Sequence, residues 1–255
     1  MTAGTVLASN LQVGATLGRS FSVLVKNIVP FTLLGLVFTS PVYVYELASS
    51  VPISEQLGRD DLWPIVPIGL SMLLPYVLIA TLVYGTTQEL RGHHASLTES
   101  IGRGLAMIVP VFGVTILFIV CVGLGFLLLI IPGIILMAAL WTAIPVAVLE
   151  RPGVFHSLRR SWHLTAGQRW RIIGVILILI PVHVVWSMLT GVFVAGISYY
   201  SGPGDAAAPT AIVLLDWLFQ ALVGVFYAIL PAVIYFDLRN IKEGADIHQI
   251  AAVFD

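Results

Sequence analysis

Charge and cysteine are both scarce in this sequence. Only 10% of the 255 residues are charged, and Cys121 is the single cysteine. One cysteine excludes an intrachain disulfide, and so little charge excludes the surface of an ordinary soluble domain. The N-terminal stretch lacks the charged start and the cleavage site of a secretory signal, so we expect no cleaved leader.

The sequence also lacks the motifs of familiar catalytic and metal sites. It contains no nucleophile elbow, no phosphate loop and no paired acidic motif. His93 and His94 are adjacent and therefore do not share one helical face, and no cysteine or carboxylate stands at ligand spacing. We therefore predict no catalytic residue, no metal site and no cofactor.

Long apolar runs are what the sequence does have. Hydrophobic residues make up 58% of it, and its mean hydropathy of +1.01 predicts an integral membrane protein. Because a membrane-spanning helix needs about twenty apolar residues, charges and helix breakers divide the chain into six predicted spans. These spans cover residues 28–47, 63–84, two halves of 107–149, 172–200 and 211–236.

The charge-free stretch 107–149 is too long for one span and suits two. We expect it to turn between Gly123 and Gly133, where glycine and proline are concentrated. Gly113, Gly123 and Gly125 are interpreted as positions where helices pack closely, since small residues let helix backbones approach in a membrane.

Basic residues lie almost entirely on one side of this predicted topology. Eleven of the twelve lysines and arginines fall in the loops and termini of one side, and Arg59 is the exception. Short basic loops remain cytoplasmic, so we expect a multi-pass protein with both termini in the cytoplasm. The basic residues lie against the membrane, and for that reason we expect no nucleic-acid partner.

A short pattern recurs before the first, third and fifth spans. Leucine or isoleucine, any residue, arginine, and serine or glycine follow one another around Arg19, Arg103 and Arg160. Apolar residues recur at helical spacing around each arginine, which predicts three amphipathic helices in the membrane interface. The chain is thus predicted to be one all-α domain, 1–255, of three helix-plus-hairpin units. The units cover about 5–84, 94–149 and 152–236, followed by a cytoplasmic tail, 237–255.

Five arginines stand within the stretch 151–171. Two interpretations remain open: these arginines only anchor the topology, or they bind anionic lipid headgroups or a protein partner, with Glu150 and Asp237 as internal counter-ions. The candidate binding residues are Arg19, Arg103, Glu150, Arg159, Arg160, Arg169, Arg171, Asp237, Arg239 and Lys242.

The second half of the chain carries a resemblance. The residues concerned are Pro132-Gly133, Pro145 to Glu150, Ser157-Leu158-x-Arg160-Ser161, Leu164-Thr165-x-Gly167, and the run from Asp237-Leu238-Arg239 to Lys242-Glu243-Gly244-x-Asp246. They resemble a family of bacterial six-span membrane proteins related to the membrane domain of some glycerophosphodiester phosphodiesterases. The resemblance implies the bacterial inner membrane. It implies no settled activity, and we expect no hydrolase domain beside the spans.

Two ionisable residues are predicted at membrane depth, where charge is costly. His183 lies within the fifth span beside Pro181, and Asp216 lies near the outer end of the sixth. For His183 we expect either a hydrogen bond to a carbonyl freed by the proline or a role in a proton relay. Asp216 is shallow enough to reach interfacial water.

The tail is predicted to form a further amphipathic helix capped by Asp246. It brings Asp237 and Glu243 toward the arginine-rich helix, where we expect the Asp237-Leu238-Arg239 turn to dock against Arg159, Arg160 or Arg169. The alternative is a solvated terminal helix whose charges only keep it in the cytoplasm.

The function expected from these features is a non-catalytic module that binds lipid or a membrane-protein partner, including a second copy of itself, through its interfacial helices. The alternatives are a pathway for a lipid-like or small solute and, less favoured, an intramembrane enzyme.

Overall fold

A computed structural model of the protein describes residues 10–48, 65–92, 96–200 and 207–251, and every regular element in these ranges is an α-helix. The all-α class predicted from the sequence is confirmed. The helices are α1 (Val13–Lys26), α2 (Ile28–Ala48), α3 (Ile65–Leu90), α4 (Leu97–Ala106), α5 (Ile108–Leu128), α6 (Ile130–Leu140), α7 (Ala143–Leu149), α8 (Val154–Thr165), α9 (Arg169–Tyr200) and α10 (Ala207–Ala251).

Several of these helices are long and apolar enough to cross a membrane. Four such stretches occur among the described residues: Ile108–Leu128, Ile130–Leu149, Arg169–Phe193 and Val213–Gly244. A fifth results if α1 and α2 are counted together. All six predicted spans fall on helices, the fourth on the α6–α7 pair, while six membrane crossings remain a prediction.

Short amphipathic helices precede the apolar ones at three places. α1 comes before α2 and α3, α4 before α5 to α7, and α8 before α9 and α10. The chain bends by 84° between α1 and α2, so α1 lies across the direction of α2. This element order is the one predicted for three units, and a symmetry relating the units remains a prediction.

The predicted turn in the charge-free stretch is confirmed at Leu129, which is extended between α5 and α6. Gly125 and Gly133 let the two helices meet. A Cβ on Gly133 would lie 2.5 Å from the Phe126 ring, and one on Gly125 would lie 2.9 Å from the Gly133 Cα. Close packing is thus confirmed at Gly125. The prediction of close packing at Gly123 is wrong, because nothing lies within 4 Å of a Cβ there.

The last helix, α10, forms the centre of the bundle. Its buried residues belong to separate clusters shared with α9, with α1 to α3 and with α5 and α7. α5 and residues 177–193 of α9 instead expose many large apolar side chains. Such exposure suits helices that face lipid acyl chains, since lipid removes the need to bury apolar surface.

The tail differs from its prediction. α10 continues without interruption to Ala251, so no separate helix begins at Asp246. The long helix carries its last turns away from the apolar core as a direct extension of the sixth predicted span. Residues 252–255 lie outside the described residues.

Candidate functional site

The three patterned arginines gather around residues 235–243 of α10. We call this segment, together with α1, α4 and α8, the basic end. Each amphipathic helix turns two small residues into the bundle, three positions before and one position after its arginine. These buried pairs are Thr16 and Ser20, Ser100 and Gly104, and Ser157 and Ser161.

Small residues four positions apart form one stripe on a helix and let it pack tightly on a neighbour. In α8, the Ser161 hydroxyl donates to the Ala139 carbonyl at 2.9 Å and lies 3.0 Å from the Thr142 hydroxyl. The Thr165 hydroxyl donates to the same carbonyl at 3.0 Å. These contacts hold α8 on the α6–α7 junction, so that Arg160 faces α10.

Arg19 of α1 forms an ion pair with Asp237 of α10. The Arg19 Nη1 lies 2.6 Å from the Asp237 Oδ1, and the Thr16 hydroxyl donates to the Asp237 Oδ2 at 2.9 Å. The Asp237 side chain is only 3% exposed, whereas that of Arg19 is 48% exposed. The predicted docking of Asp237 against Arg159, Arg160 or Arg169 is therefore wrong, because this carboxylate pairs with Arg19 of α1 instead. Glu243 does approach the arginine-rich helix as predicted, and it pairs with Arg160.

Arg160 is the centre of a second, larger network. Its Nε donates to the Glu150 carboxylate at 3.2 Å, and its Nη2 donates to Glu243. Glu150 also accepts a hydrogen bond of 2.8 Å from the Tyr235 hydroxyl, and Glu243 accepts one of 2.5 Å from the Arg239 Nε. Partial burial disfavours the charge of Arg160, but the bonds to Glu243 and Glu150 outweigh it and raise its pKa. The predicted role of Glu150 as a counter-ion is consistent with this geometry.

The first turn of α9 holds two further arginines. The Arg169 guanidinium lies over the Trp162 ring at 4.0 Å from its centroid, which is a cation–π contact. The Arg171 Nη1 donates to the Gln168 Oε1 at 2.9 Å, and the same oxygen accepts the Leu11 amide at 3.1 Å. Gln168 thus connects the loop between α8 and α9 to the chain that enters α1.

Two other candidate cations lie at the surface of α8 and α10. The Lys242 ammonium donates to the carbonyl of His163, which ties the end of α10 to α8. Arg159 is exposed, and no carboxylate of the described residues lies within 4 Å of its guanidinium.

A polar cavity of about 270 Å³ opens at the basic end beside the Arg160 network. Four arginines from four separate segments line it, and we call it the arginine pocket. Its lining residues are Tyr84, Gln88, Arg91, Arg103, Val148, Leu149, Arg151 and Arg239. Sequence reasoning singled out Arg103 and Arg239 but not Arg91 and Arg151 as site residues. One signal could have identified Arg91 and Arg151: basic residues are scarce in this chain, and each of these two stands just after the end of a helix.

The model of one protein family matches residues 70–238, about two thirds of the chain. The chain belongs to this family. Its description is "Domain of unknown function (DUF7847)". No curated protein and no solved structure matches the chain.

The DUF7847 match extends from α3 to Leu238 of α10. It includes Arg91, Arg103 and Arg151 of the arginine pocket, and it includes Asp237 but not its partner Arg19. Among the described residues, no group of three or more histidine, cysteine or carboxylate side chains is arranged to hold a metal ion.

The two polar residues predicted at membrane depth have different surroundings in this DUF7847 chain. The Asp216 carboxylate accepts a hydrogen bond of 3.2 Å from the Trp186 indole. His183 borders an apolar cavity of about 390 Å³ between α1, α9 and α10. Its ring has no hydrogen-bond partner within the described part of the chain, so the expected bond to a carbonyl freed by Pro181 is not formed.

Proposed function

We propose that this protein is a non-catalytic integral membrane module that binds anionic lipid through α8 and the start of α9. The observation that carries the proposal is the mixture of side chains at this corner. Phe155 and Trp170 are 76% and 77% exposed, and Arg159 is exposed beside them on the outer face of α8. Arg169 lies against the half-exposed Trp162.

Exposed aromatic and basic residues favour one particular environment. Tryptophan rings are concentrated at the boundary between headgroups and acyl chains, while arginine is attracted to anionic headgroups by about 1 kcal/mol for each residue near the surface. The inner face of α8 is already occupied by the Ala139 and Thr142 contacts. The outer face is therefore the one available to lipid.

The proposed topology has six spans in three helix-plus-hairpin units, with the basic end and both termini in the cytoplasm. The asymmetry of basic residues and the order of amphipathic and apolar helices support it. The resemblance noted for the second half of the chain supports the bacterial inner membrane as the location. Cysteine labelling tests the topology on a Cys121→Ser background. We expect Ala245→Cys to react only from the cytoplasm and Ser201→Cys only from outside, and the reverse pattern contradicts it.

Lipid retention tests the function. The full-length protein is purified from native membranes in a mild detergent, and the retained lipids are counted by mass spectrometry. We expect anionic lipid to be enriched over its share of the membrane. The enrichment should fall by about half or more in an Arg159→Gln, Arg169→Gln double variant, because each arginine contributes roughly 1 kcal/mol.

Lys26→Gln is the matched control, because it removes one exposed cation from α1 and leaves α8 intact. We expect it to retain the lipid of the wild-type protein. Equal enrichment in the double variant and the wild type, or no enrichment in the wild type, contradicts the proposal.

A further inference from the structure

The arginine pocket brings together positive charge from four segments of the chain. Arg91 follows α3, Arg103 lies on α4, Arg151 follows α7 and Arg239 lies on α10. In a chain with only twelve basic residues, four guanidinium groups share one cavity of about 270 Å³. Like charges gathered at one cavity repel one another, and a bound anion would relieve this repulsion.

Within the described ranges, a carboxylate neutralises one of these four arginines. Arg239 is neutralised by Glu243 at 2.5 Å. Among the described residues, no carboxylate lies within 4 Å of the guanidinium of Arg91, Arg103 or Arg151. The same end of the molecule gives Arg19 and Arg160 a carboxylate each.

Neighbouring contacts hold the pocket in shape. The Arg103 guanidinium lies over the Tyr84 ring at 5.6 Å from its centroid. The Tyr84 hydroxyl donates to Glu99 at 2.6 Å and accepts a bond of 2.8 Å from the Gln88 amide. Tyr84 is therefore fixed on both sides of its hydroxyl, and it gives Arg103 an aromatic surface to lie on.

The backbone conformation of Arg151 determines where this third unpaired arginine lies. Arg151 has a φ of 53°, and it is the one residue other than glycine with a positive φ within the described ranges. This conformation is costly for a residue with a side chain. It reverses the chain between α7 and α8, and Arg151 borders the pocket as a result.

We propose that the arginine pocket is a binding site for a phosphate group. A phosphomonoester carries nearly two negative charges at neutral pH and three acceptor oxygens, which matches three uncompensated guanidinium groups. Arginine binds phosphate oxygens with two parallel, charge-assisted hydrogen bonds. The phosphate belongs either to a lipid headgroup or to a soluble phosphate compound. This site uses other residues than the lipid surface of α8, and it stands whether or not that surface binds lipid.

Titration calorimetry of the full-length protein in a neutral detergent tests the site. Three probes are used at constant ionic strength: inorganic phosphate, dihexanoyl phosphatidate and dihexanoyl phosphatidylcholine. We expect one phosphatidate to bind per chain and phosphatidylcholine to bind far more weakly. Binding of inorganic phosphate as tight as that of phosphatidate identifies a soluble phosphate as the ligand, and binding of phosphatidate alone identifies a lipid headgroup.

Variants locate the binding. Arg103→Gln removes one charge-assisted group and should weaken phosphatidate binding about tenfold or more. Arg91→Gln, at the exposed end of α3, provides a second variant. Lys26→Gln removes an exposed cation that lies outside both the pocket and the lipid surface of α8, and it should leave affinity unchanged. Each variant is used only with a melting temperature close to that of the wild type. The proposal is overturned if neither phosphate probe binds, or if both pocket variants bind phosphatidate as tightly as Lys26→Gln does.

Discussion

Arginines at the basic end fall into two groups that differ in what surrounds them. Arg19 and Arg160 each face a carboxylate of the same chain, and their contacts tie α1 and α8 to the central helix. Arg91, Arg103 and Arg151 line a cavity, and no carboxylate of the described residues lies within 4 Å of their guanidinium groups. The first group contributes to folding, whereas the second keeps charge available for a ligand.

The local sequence pattern does not determine whether an arginine pairs with a carboxylate, as Arg103 shows. It occupies the same position in its amphipathic helix as Arg19 and Arg160 do in theirs. All three are followed by a small buried residue. Only the segment that each helix meets is different: an aspartate for Arg19, two glutamates for Arg160, and a tyrosine ring for Arg103.

The largest effect is expected from the buried ion pair. Arg19→Ala leaves Asp237 buried without a counter-charge, so we expect the free energy of unfolding to fall by about 3 kcal/mol. Asp237→Asn keeps the contact with Thr16 and leaves Arg19 unpaired, but the Arg19 side chain already reaches water. We expect this variant to lower the free energy of unfolding by about 1 kcal/mol. Unfolding in detergent, followed by circular dichroism, measures both. Equal losses would show that burial of Asp237 does not decide its role.

Gly104→Ala tests whether the pocket depends on the packing of α4. A Cβ there would lie 2.1 Å from the Thr81 hydroxyl and 2.9 Å from the Val77 carbonyl, so α4 must move from α3 at a cost of about 2 kcal/mol. Gly102→Ala is the control in the same helix, since its Cβ meets nothing within 4 Å. It should stabilise the protein by up to about 1 kcal/mol. A melting temperature equally lowered in both variants refutes the packing argument.

Arg160→Gln should have a smaller effect than Arg19→Ala. Its guanidinium and both carboxylate partners are partly exposed, so water and salt screen the pairs. We expect a loss of about 1 kcal/mol that shrinks in 0.5 M sodium chloride, roughly five times the concentration at which the Debye length is 10 Å. Melting curves at low and high salt measure it. A loss that does not change with salt would mean that packing, rather than charge, gives Arg160 its role.

Arg103→Gln should change stability least. Its removal lowers the repulsion within the arginine pocket, so we expect a change within about 0.5 kcal/mol. Dihexanoyl phosphatidate should raise the melting temperature of the wild type and raise that of the variant less, because binding stabilises the folded state. If Arg103→Gln destabilises the protein more than Arg160→Gln does, the distinction between the two groups of arginines is wrong.

Much of the helical layout could be predicted from the sequence. Apolar runs bounded by charges located the helices, and the concentration of glycine and proline located the turn that the structure has at Leu129. The stripe of small residues on each amphipathic helix was also present in the sequence, for example at Ser157 and Ser161. Hydropathy does not reveal that this stripe is buried, because a buried serine has no hydropathy signal.

Charge partners could not be predicted in the same way. The sequence predicts that Asp237 lies against the nearest arginine-rich segment. In the structure it contacts α1, where Thr16 is 221 residues away in sequence. The sequence predicts that a new helix begins at Asp246, yet α10 continues to Ala251. A helix is favoured by local hydrogen bonds, and local rules cannot tell whether a polar residue within it begins a new helix or extends the old one.

The sequence by itself determined that this chain is helical and apolar, and that its scarce basic residues stand beside the apolar runs. Those properties follow from composition and spacing, which act on each segment separately. Only the tertiary structure decided that α10 is central and that it brings Arg19, Arg103 and Arg160 to one place. The reason is physical: pairing depends on distances of a few ångströms, and those distances arise only when small residues such as Ser20, Gly104 and Ser161 let the helices pack together.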